Sequence, residues 1–456
     1  MSTASADAST VASTGVRRPR FGTDGVRGVA NTELTAAHAL ALGRAAAQVL
    51  GATEFVIGRD TRRSSRMLEA AFAAGLAAEG MRVELLGDVP TPCVAYVAQH
   101  RGCAGAMISA SHNAFADNGI KLFAVGGRKL ADEVEARIEQ ALDDLGPPTL
   151  SGADVGVLVE GDADVSDYVH HLHEAIGNRR LDGLTIVVDA ANGAGSGLAR
   201  QVFVDAGATV HVIADRPDGV NINDGCGATY PAALAAAVLA ERADLGLALD
   251  GDADRLIAVD HTGAIVDGDH AMAILALDLK ERGDLRDDTV VVTVMTNLGF
   301  RLAMRAQGVN VVETAVGDRY VLAALDAGHY SLGGEQSGHV ILRDKATTGD
   351  GLLTGLLLAD TVRRRGRSLA ELASVMTSLP QVLLNVRLPE RRPDLLDRLA
   401  ADIAEAEGTL GDTGRVLVRP SGTEPVVRVM VEAPTADEAS TVARRLVSAV
   451  ERVGAA

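Results

Sequence analysis

The stretch EFVIGRD (54–60), MLEAAFAAGLAAEG (67–80), RVELLGD (82–88) decides the fold. An apolar run, an Ala-rich segment with helical spacing and a second apolar run follow one another, with polar breaks between them. Strand, helix, strand is the unit from which mostly parallel sheets are built. The rhythm returns at LTIVVDAANGAG (184–195), LARQVFVDAG (198–207) and TVHVIAD (209–215). It returns again at TVVVTVMTN (289–297), FRLAMRAQG (300–308) and VNVVETAVGD (309–318). These are three similar α/β units and not an alignable repeat. The end of the chain differs. QVLLNVRLP, GRVLVRPSGTE and PVVRVMVEAPT alternate as strands do, and the helix ADEASTVARRLVSAVERVG follows, which reads as a smaller α+β domain.

The expected division is a disordered tail over 1–16, then domains at 17–155, 156–262, 263–374 and 375–456. The break near 148 falls in the Pro/Gly-rich GPPTLSGAD.

Composition narrows the function. The 456 residues include seven Phe, five Tyr and no Trp, so the core is built from Ala, Val, Leu and Ile. A net charge of −18 disfavours nucleic acid and anionic membranes as partners. It also repels anionic substrates, so a phosphate site must be a local concentration of Arg, Lys, N–H groups or metal. Cys93, Cys103 and Cys226 show no C-x-x-C spacing, which fits a reducing cytoplasm better than a disulfide framework or a zinc site. No signal peptide and no membrane-spanning run are read in the sequence.

Four segments carry candidate chemistry. In LGLALDGDADRL (245–256), Asp250, Asp252 and Asp254 alternate, and in extended chain they point to one side. Three such carboxylates call for a hard cation such as Mg²⁺. An EF-hand is excluded, because Arg255 and His261 stand where that loop needs Gly and Glu. In AMISASHNAFADNGIKLF (106–123), Ser111 lies beside His112 and near Lys121, a set able to attack phosphorus. In GRVLVRPSGTEPVVRV (414–429), Arg419, Ser421, Gly422, Thr423 and Arg428 bracket a tight loop with many donors to phosphate. In SLGGEQSGHVIL (331–342), Glu335, Ser337 and His339 alternate on extended chain, as groups gripping a sugar would. Each segment taken alone also reads as an ordinary turn or hairpin loop. NGAGSGLAR (192–200) is a strand-to-helix turn, and HHLHEA (170–175) a solvated helix.

Taken together and in this order, FGTDGVRG (21–28), SASHNAFADNGIK (109–121), DGDADR (250–255), VGDRY (316–320), GGEQSGH (333–339) and RPSGTEP (419–425) resemble the α-phosphohexomutase superfamily. The resemblance runs from about Pro19 to the C-terminal helix. With NINDGCG (221–227) and GEQSG it is closest to the bacterial phosphoglucosamine mutase family. Ala114, Ala228 and Tyr230 depart from the family pattern, which usually has Pro, Ser and His at these places.

The resemblance implies three mixed α/β domains and a smaller C-terminal α+β domain around a central cleft. It implies that Ser111 carries the phosphate and joins Asp250, Asp252 and Asp254 in holding one Mg²⁺. It places Arg27, His112, Lys121 and Arg255 around the transferring phosphate, with Lys121 as the usual proton carrier. Glu335 and Ser337 would grip the sugar, with His339 in the same segment and Gly317 and Asp318 in a neighbouring loop. Arg419, Ser421, Gly422, Thr423 and Arg428 would hold the unreacting phosphate. The implied reaction interconverts glucosamine 6-phosphate and glucosamine 1-phosphate, with a sugar 1,6-bisphosphate as intermediate and activator. Competing expectations are a phosphomannomutase or phosphoglucomutase, and a metal-dependent sugar phosphatase. A homodimer and a kinase that primes Ser111 stand as candidate partners beside the small sugar phosphate.

Overall fold

A computed structural model describes residues 19–455, except positions 23, 162, 391, 393 and 421–424. The expected tail over 1–16 lies outside the described residues. Four sheets follow one another along the chain.

The first runs Phe21–Gly22, Gly25–Val29, Asp117–Ala124, Ala104–Ile108, Glu54–Arg59, Arg82–Asp88, Leu158–Glu160, with Arg128–Lys129 beside Asp117–Ala124. Its centre is parallel and the side holding Asp117–Ala124 is antiparallel. Because Leu158–Glu160 pairs with Arg82–Asp88, the first unit extends past residue 155. The second sheet runs Thr209–Ile213, Thr185–Asp189, Leu245–Leu249, Leu256–Asp260, Ile265–Val266, so it continues past residue 262. The third runs Asn310–Thr314, Thr289–Thr293, Leu332–Gly334, Val340–Leu342. The fourth, Gln381–Arg387, Val426–Glu432, Arg415–Pro420, is antiparallel throughout.

Local chemistry explains the first unit. Helix Ala36–Leu50 begins where Thr35 accepts His38 N–H at 3.1 Å and ends at the left-handed Gly51. It packs on helix Ser65–Ala78 through two glycines. A Cβ on Gly43 would stand 2.3 Å from the Phe72 carbonyl oxygen, and one on Gly75 2.1 Å from that of Leu40.

One continuous apolar cluster runs from Val56 through Phe203 to Met376, so the first three units share a core. The C-terminal domain has its own core around Val429, Val431 and Leu446. It is tied to the third unit by the buried Glu432, which accepts Leu298 N–H at 2.9 Å and pairs with Arg415 at 3.0 Å. Helix Ala163–Ala175 is not simply solvated. His171 stacks on Tyr96 and meets the Lys345 carbonyl at 2.8 Å, and His173 meets that of Val202 at 2.8 Å. On the same helix the buried Tyr168 donates to Asp350 Oδ2 at 2.9 Å, while Asp350 accepts Leu353 N–H at 2.9 Å.

Two predictions follow from this packing. Alanine is the better helix former by about 1 kcal/mol, yet Gly75→Ala should lower the thermal midpoint, because its methyl group meets backbone. A midpoint raised in circular-dichroism melts would contradict the close approach. Burial pushes the Asp350 carboxyl up to about 6, against the bonds from Leu353 and Tyr168 that favour its ionised form. The folded state therefore holds that proton more tightly than the unfolded chain. This stability is present below about pH 4 and is lost as pH rises through about 6. Asp350→Asn should gain ~3 kcal/mol on the parent chain across that window, at 1.36 kcal/mol per pKa unit. Urea midpoints at pH 4.5 and 7.5 that differ by the same amount for both chains would refute it.

Candidate active site

The site is built at the ends of strands from three units. Strand Ala104–Ile108 delivers Ser111, whose φ of 52° lies in the left-handed region that non-glycine residues seldom occupy. What holds it there is visible. Ser111 N–H donates to Ser109 Oγ at 2.9 Å. The fully buried Arg62 donates to the carbonyls of Ser111 and Asn113 at 2.9 Å each, and to that of Ala114. Asn223 reaches the same two carbonyls, Ser111 and Asn113, at 2.9 and 3.0 Å. Asp60 completes the clamp. It pairs with Arg62 Nε at 2.8 Å and accepts Ser65 and Ser109 hydroxyls at 2.6 Å.

Strand Leu245–Leu249 delivers the carboxylates. Their backbone is not extended, so the expected alternation is not what gathers them. Residues 250–254 form a tight turn with Ala253 at φ 57°. The turn brings Asp250, Asp252 and Asp254, all buried, to within 4.8 Å of one another. Ser111 Oγ donates to Asp250 Oδ2 at 2.5 Å, across the boundary between the first two units. Lys121, buried on strand Asp117–Ala124, lies 2.7 Å from Asp252, 3.0 Å from Asp24 and 3.3 Å from Asp254. Thr91 donates to Asp252 at 2.5 Å.

The trio fits a divalent cation. Among the described residues, Asp252 Oδ1 and Asp254 Oδ1 are buried without a hydrogen-bond partner, and all the donors are hard oxygens. Burial, then the neighbouring Asp254 and Asp252, push the Asp250 carboxyl well above the usual range. Burial acts the same way on Asp254, but Lys121, His339 and Arg255 overcome it and hold that carboxyl well below. Burial would lower Lys121, yet Asp24, Asp252 and Asp254 keep it protonated far above neutrality. His112 lies 3.4 Å from Ser111 Oγ, and burial with Arg255 and Arg27 pushes it down, towards the neutral imidazole.

A cleft of about 360 Å³ opens beside these groups, lined by Arg27, His112, Asp254, Arg255, Gly317, Asp318, Glu335 and His339 among others. Glu335 and Ser337 also depart from the expected extended chain. They sit in the turn between strands Leu332–Gly334 and Val340–Leu342, with Ser337 Oγ 3.5 Å from Glu335 Oε2. Gly317 N–H donates to Glu335 Oε1 at 3.1 Å. His339 is buried 3.6 Å from Asp254 and 3.4 Å from Asp318, which also pairs with Lys129.

Arg419 and Arg428 lie directly opposite each other on the C-terminal sheet, outside the residues lining this cleft. Like charges so placed repel, and an anion between them removes that cost. Ser421, Gly422 and Thr423 lie outside the described residues.

The positioning groups Asp60, Arg62, Thr91 and Lys129 were not picked out in the sequence. GRDTRRSS (58–65), an acid and three arginines at the end of a parallel strand, was the available signal for Asp60 and Arg62.

Comparison with known proteins assigns the family. Four family descriptions match in succession. They are Phosphoglucomutase/phosphomannomutase alpha/beta/alpha domain I over 18–147, domain II over 166–263, domain III over 267–379 and the C-terminal domain over 383–449. The phosphoglucosamine mutase of Streptomyces avermitilis is 55% identical over 445 residues, covering 94% of this chain and 98% of that protein. That of Mycolicibacterium paratuberculosis is 52% identical over 438 residues, covering 94% and 98%. The chain belongs to the phosphoglucosamine mutase family. Among solved structures, a phosphoglucomutase/phosphomannomutase family protein from Burkholderia thailandensis superposes with a TM-score of 0.80 at 26% identity, covering 94% of this chain and 97% of that one. The N-acetylphosphoglucosamine mutase of Aspergillus fumigatus, at 19% identity and a TM-score of 0.69 over 96% of each chain, shares the fold.

Arg62→Lys should keep the charge beside Asp60 but lose the guanidinium fork on the three loop carbonyls. We expect kcat to fall on the order of 10²-fold, the usual scale for ~1 Å of misplacement, with KM nearly unchanged. Unaltered turnover in steady-state assays would show that the fork does not position Ser111.

Proposed function

We propose that this chain is an isomerase that interconverts glucosamine 6-phosphate and glucosamine 1-phosphate through a phosphorylated Ser111. The observation that carries the reading is Ser111 Oγ at 2.5 Å from Asp250 inside the buried aspartate trio, in a chain 52–55% identical to curated phosphoglucosamine mutases.

Phosphoryl transfer depends on positioning and charge neutralisation more than on covalent chemistry. Asp250, Asp252, Asp254 and the seryl phosphate would hold Mg²⁺, which when bound offsets charge on the transferring group. Phosphoserine 111 donates to the free hydroxyl of the sugar monophosphate. The P–O bond to the serine breaks as the bond to the sugar oxygen forms, giving a 1,6-bisphosphate and a free seryl oxygen. The bisphosphate turns over, and its other phosphate returns to Ser111.

The electrostatics divide the proton work. Lys121, ion-paired on three sides, remains a cation and serves as a fixed charge or an acid. His112, pushed towards its neutral form, is the base within reach of the seryl oxygen, a role typically worth about 10²–10⁴ in rate. Arg27 and Arg255 face the transferring phosphate. Glu335 and Ser337 grip the sugar, with Gly317, Asp318 and His339 fixing that turn. Arg419 and Arg428, with Ser421, Gly422 and Thr423, hold the phosphate that does not react and must accept either end of the sugar.

A sugar 1,6-bisphosphate or a kinase would supply the first phosphate on Ser111. The product would feed UDP-N-acetylglucosamine synthesis in the cytoplasm. No helix of the described residues is long and apolar enough to cross a membrane.

The test is direct. Ser111→Ala should lose nearly all mutase turnover, and active protein should carry one phosphate, on Ser111, by intact mass and peptide mapping. Turnover on glucosamine 6-phosphate should exceed that on mannose 6-phosphate. Normal turnover by the alanine variant would refute the phosphoserine, and a preference for the mannose compound would refute the substrate.

A further inference from the structure

The loop that clamps Ser111 also borders a second cavity. Residues 59–63 and 66, Asp88 and residues 217–219 enclose a depression of about 310 Å³ that shares no lining residue with the substrate cleft. Arg63 N–H donates to the Gly219 carbonyl at 2.9 Å, which joins its two walls across the first two units.

Four arginines line this space: Arg59, Arg62, Arg63 and Arg66. The acids are already engaged. Asp60 is held by Arg62 and two serine hydroxyls. Asp88 faces Arg59 Nε at 2.9 Å, and Arg59 also grips Glu69. Asp218 folds back to accept Val220 N–H at 2.8 Å. Arg63 and Arg66 make no ion pair among the described residues.

Two unanswered guanidinium groups thus stand beside two buried ones, in a chain of net charge −18. Arg59 and Arg62 are already compensated, which leaves Arg63 and Arg66 without a counter-charge among the described residues and open to an anion. Guanidinium forks match phosphate oxygens, and the volume is at the small end of ligand sites. Beneath the cavity, Arg62 holds the carbonyls of Ser111, Asn113 and Ala114. The Arg62 side chain is itself enclosed, so an anion in the cavity acts on it through the backbone of residues 61–63 that carries it and not by contact with its guanidinium.

We propose that this depression is a second phosphate site. It takes inorganic phosphate or a phosphomonoester no larger than a monosaccharide phosphate, and its occupancy slows transfer at Ser111 through Arg62. Equilibrium dialysis of the full chain against labelled inorganic phosphate should resolve a second class of site beside that of the active site, the cleft and the Arg419–Arg428 pair taken together. R63Q/R66Q, altered at two exposed residues, should lose one class, its affinity falling at least tenfold. Unlabelled ribose 5-phosphate distinguishes the sources. Displacement of label from the second class marks a phosphomonoester site, and retention marks one for inorganic phosphate. In kinetics, inorganic phosphate should lower kcat at saturating substrate at least twofold in the parent chain and act only competitively in R63Q/R66Q. Identical isotherms for the two chains would overturn the site, and purely competitive inhibition of the parent would overturn its coupling to Ser111. The dialysis does not depend on the mutase reading, so the two can fail separately.

Discussion

A buried ammonium group placed among carboxylates from two parts of the chain sets the conditions for everything else in this molecule. Lys121 meets Asp24 from its own unit and Asp252 and Asp254 from the second. Lys129 meets Asp24 and reaches Asp318 of the third. None of these charges is stable in the interior alone, because desolvating an ion costs several kcal/mol and only good partners offset it. Each unit therefore supplies part of what neutralises the others. The shared apolar cluster gives adhesion without direction, whereas the charge network fixes which surfaces meet and in what register.

The same network explains how an acidic protein handles an anionic substrate. At physiological salt the field of surface carboxylates fades over about 8 Å. Arg27 and Arg255 line the cleft, where a charge meets its counterpart at contact distance and in a poorer dielectric and so counts for more. The buried aspartates do not oppose this, since they are already committed to Lys121, to the Ser111 hydroxyl and to the space a cation fits. A sugar phosphate thus meets a local positive surface laid over a negative layer.

Much of the fold was legible because it rests on short-range patterns. The apolar runs at 54–60, 184–195 and 289–297 became central strands, and the Ala-rich segments between them became helices. The trio was legible as a residue set but not as a shape. Alternation suggested extended chain, whereas a turn with Ala253 in the left-handed region gathers the carboxylates. The same holds for Glu335 and Ser337, which a hairpin turn brings together. Asp60, Arg62 and Lys129 were illegible for another reason. The partners that tie them into the site lie far along the chain, 49 residues for Arg62 and Ser111 and 105 for Lys129 and Asp24. No local period encodes such pairs.

The departures from the family pattern can now be weighed physically. Ala114 stands where a proline is usual, and a proline would stiffen the serine loop by fixing φ. Here the Ala114 carbonyl is bound by Arg62 and by Asp117 N–H at 3.1 Å, and Asn223 grips the neighbouring carbonyls. The loop is held by hydrogen bonds where a ring would otherwise restrict it. Such bonds fix the folded state without restricting the unfolded chain, so the substitution trades unfolded-state entropy for folded-state contacts, of which those of Asn223 come from the second unit. The left-handed Ser111 is therefore held from within its own unit by Arg62 and Ser109 and across to the second unit by Asn223. Whatever loosens Arg62 or Asn223 loosens the nucleophile as well, even though neither side chain contacts the seryl oxygen.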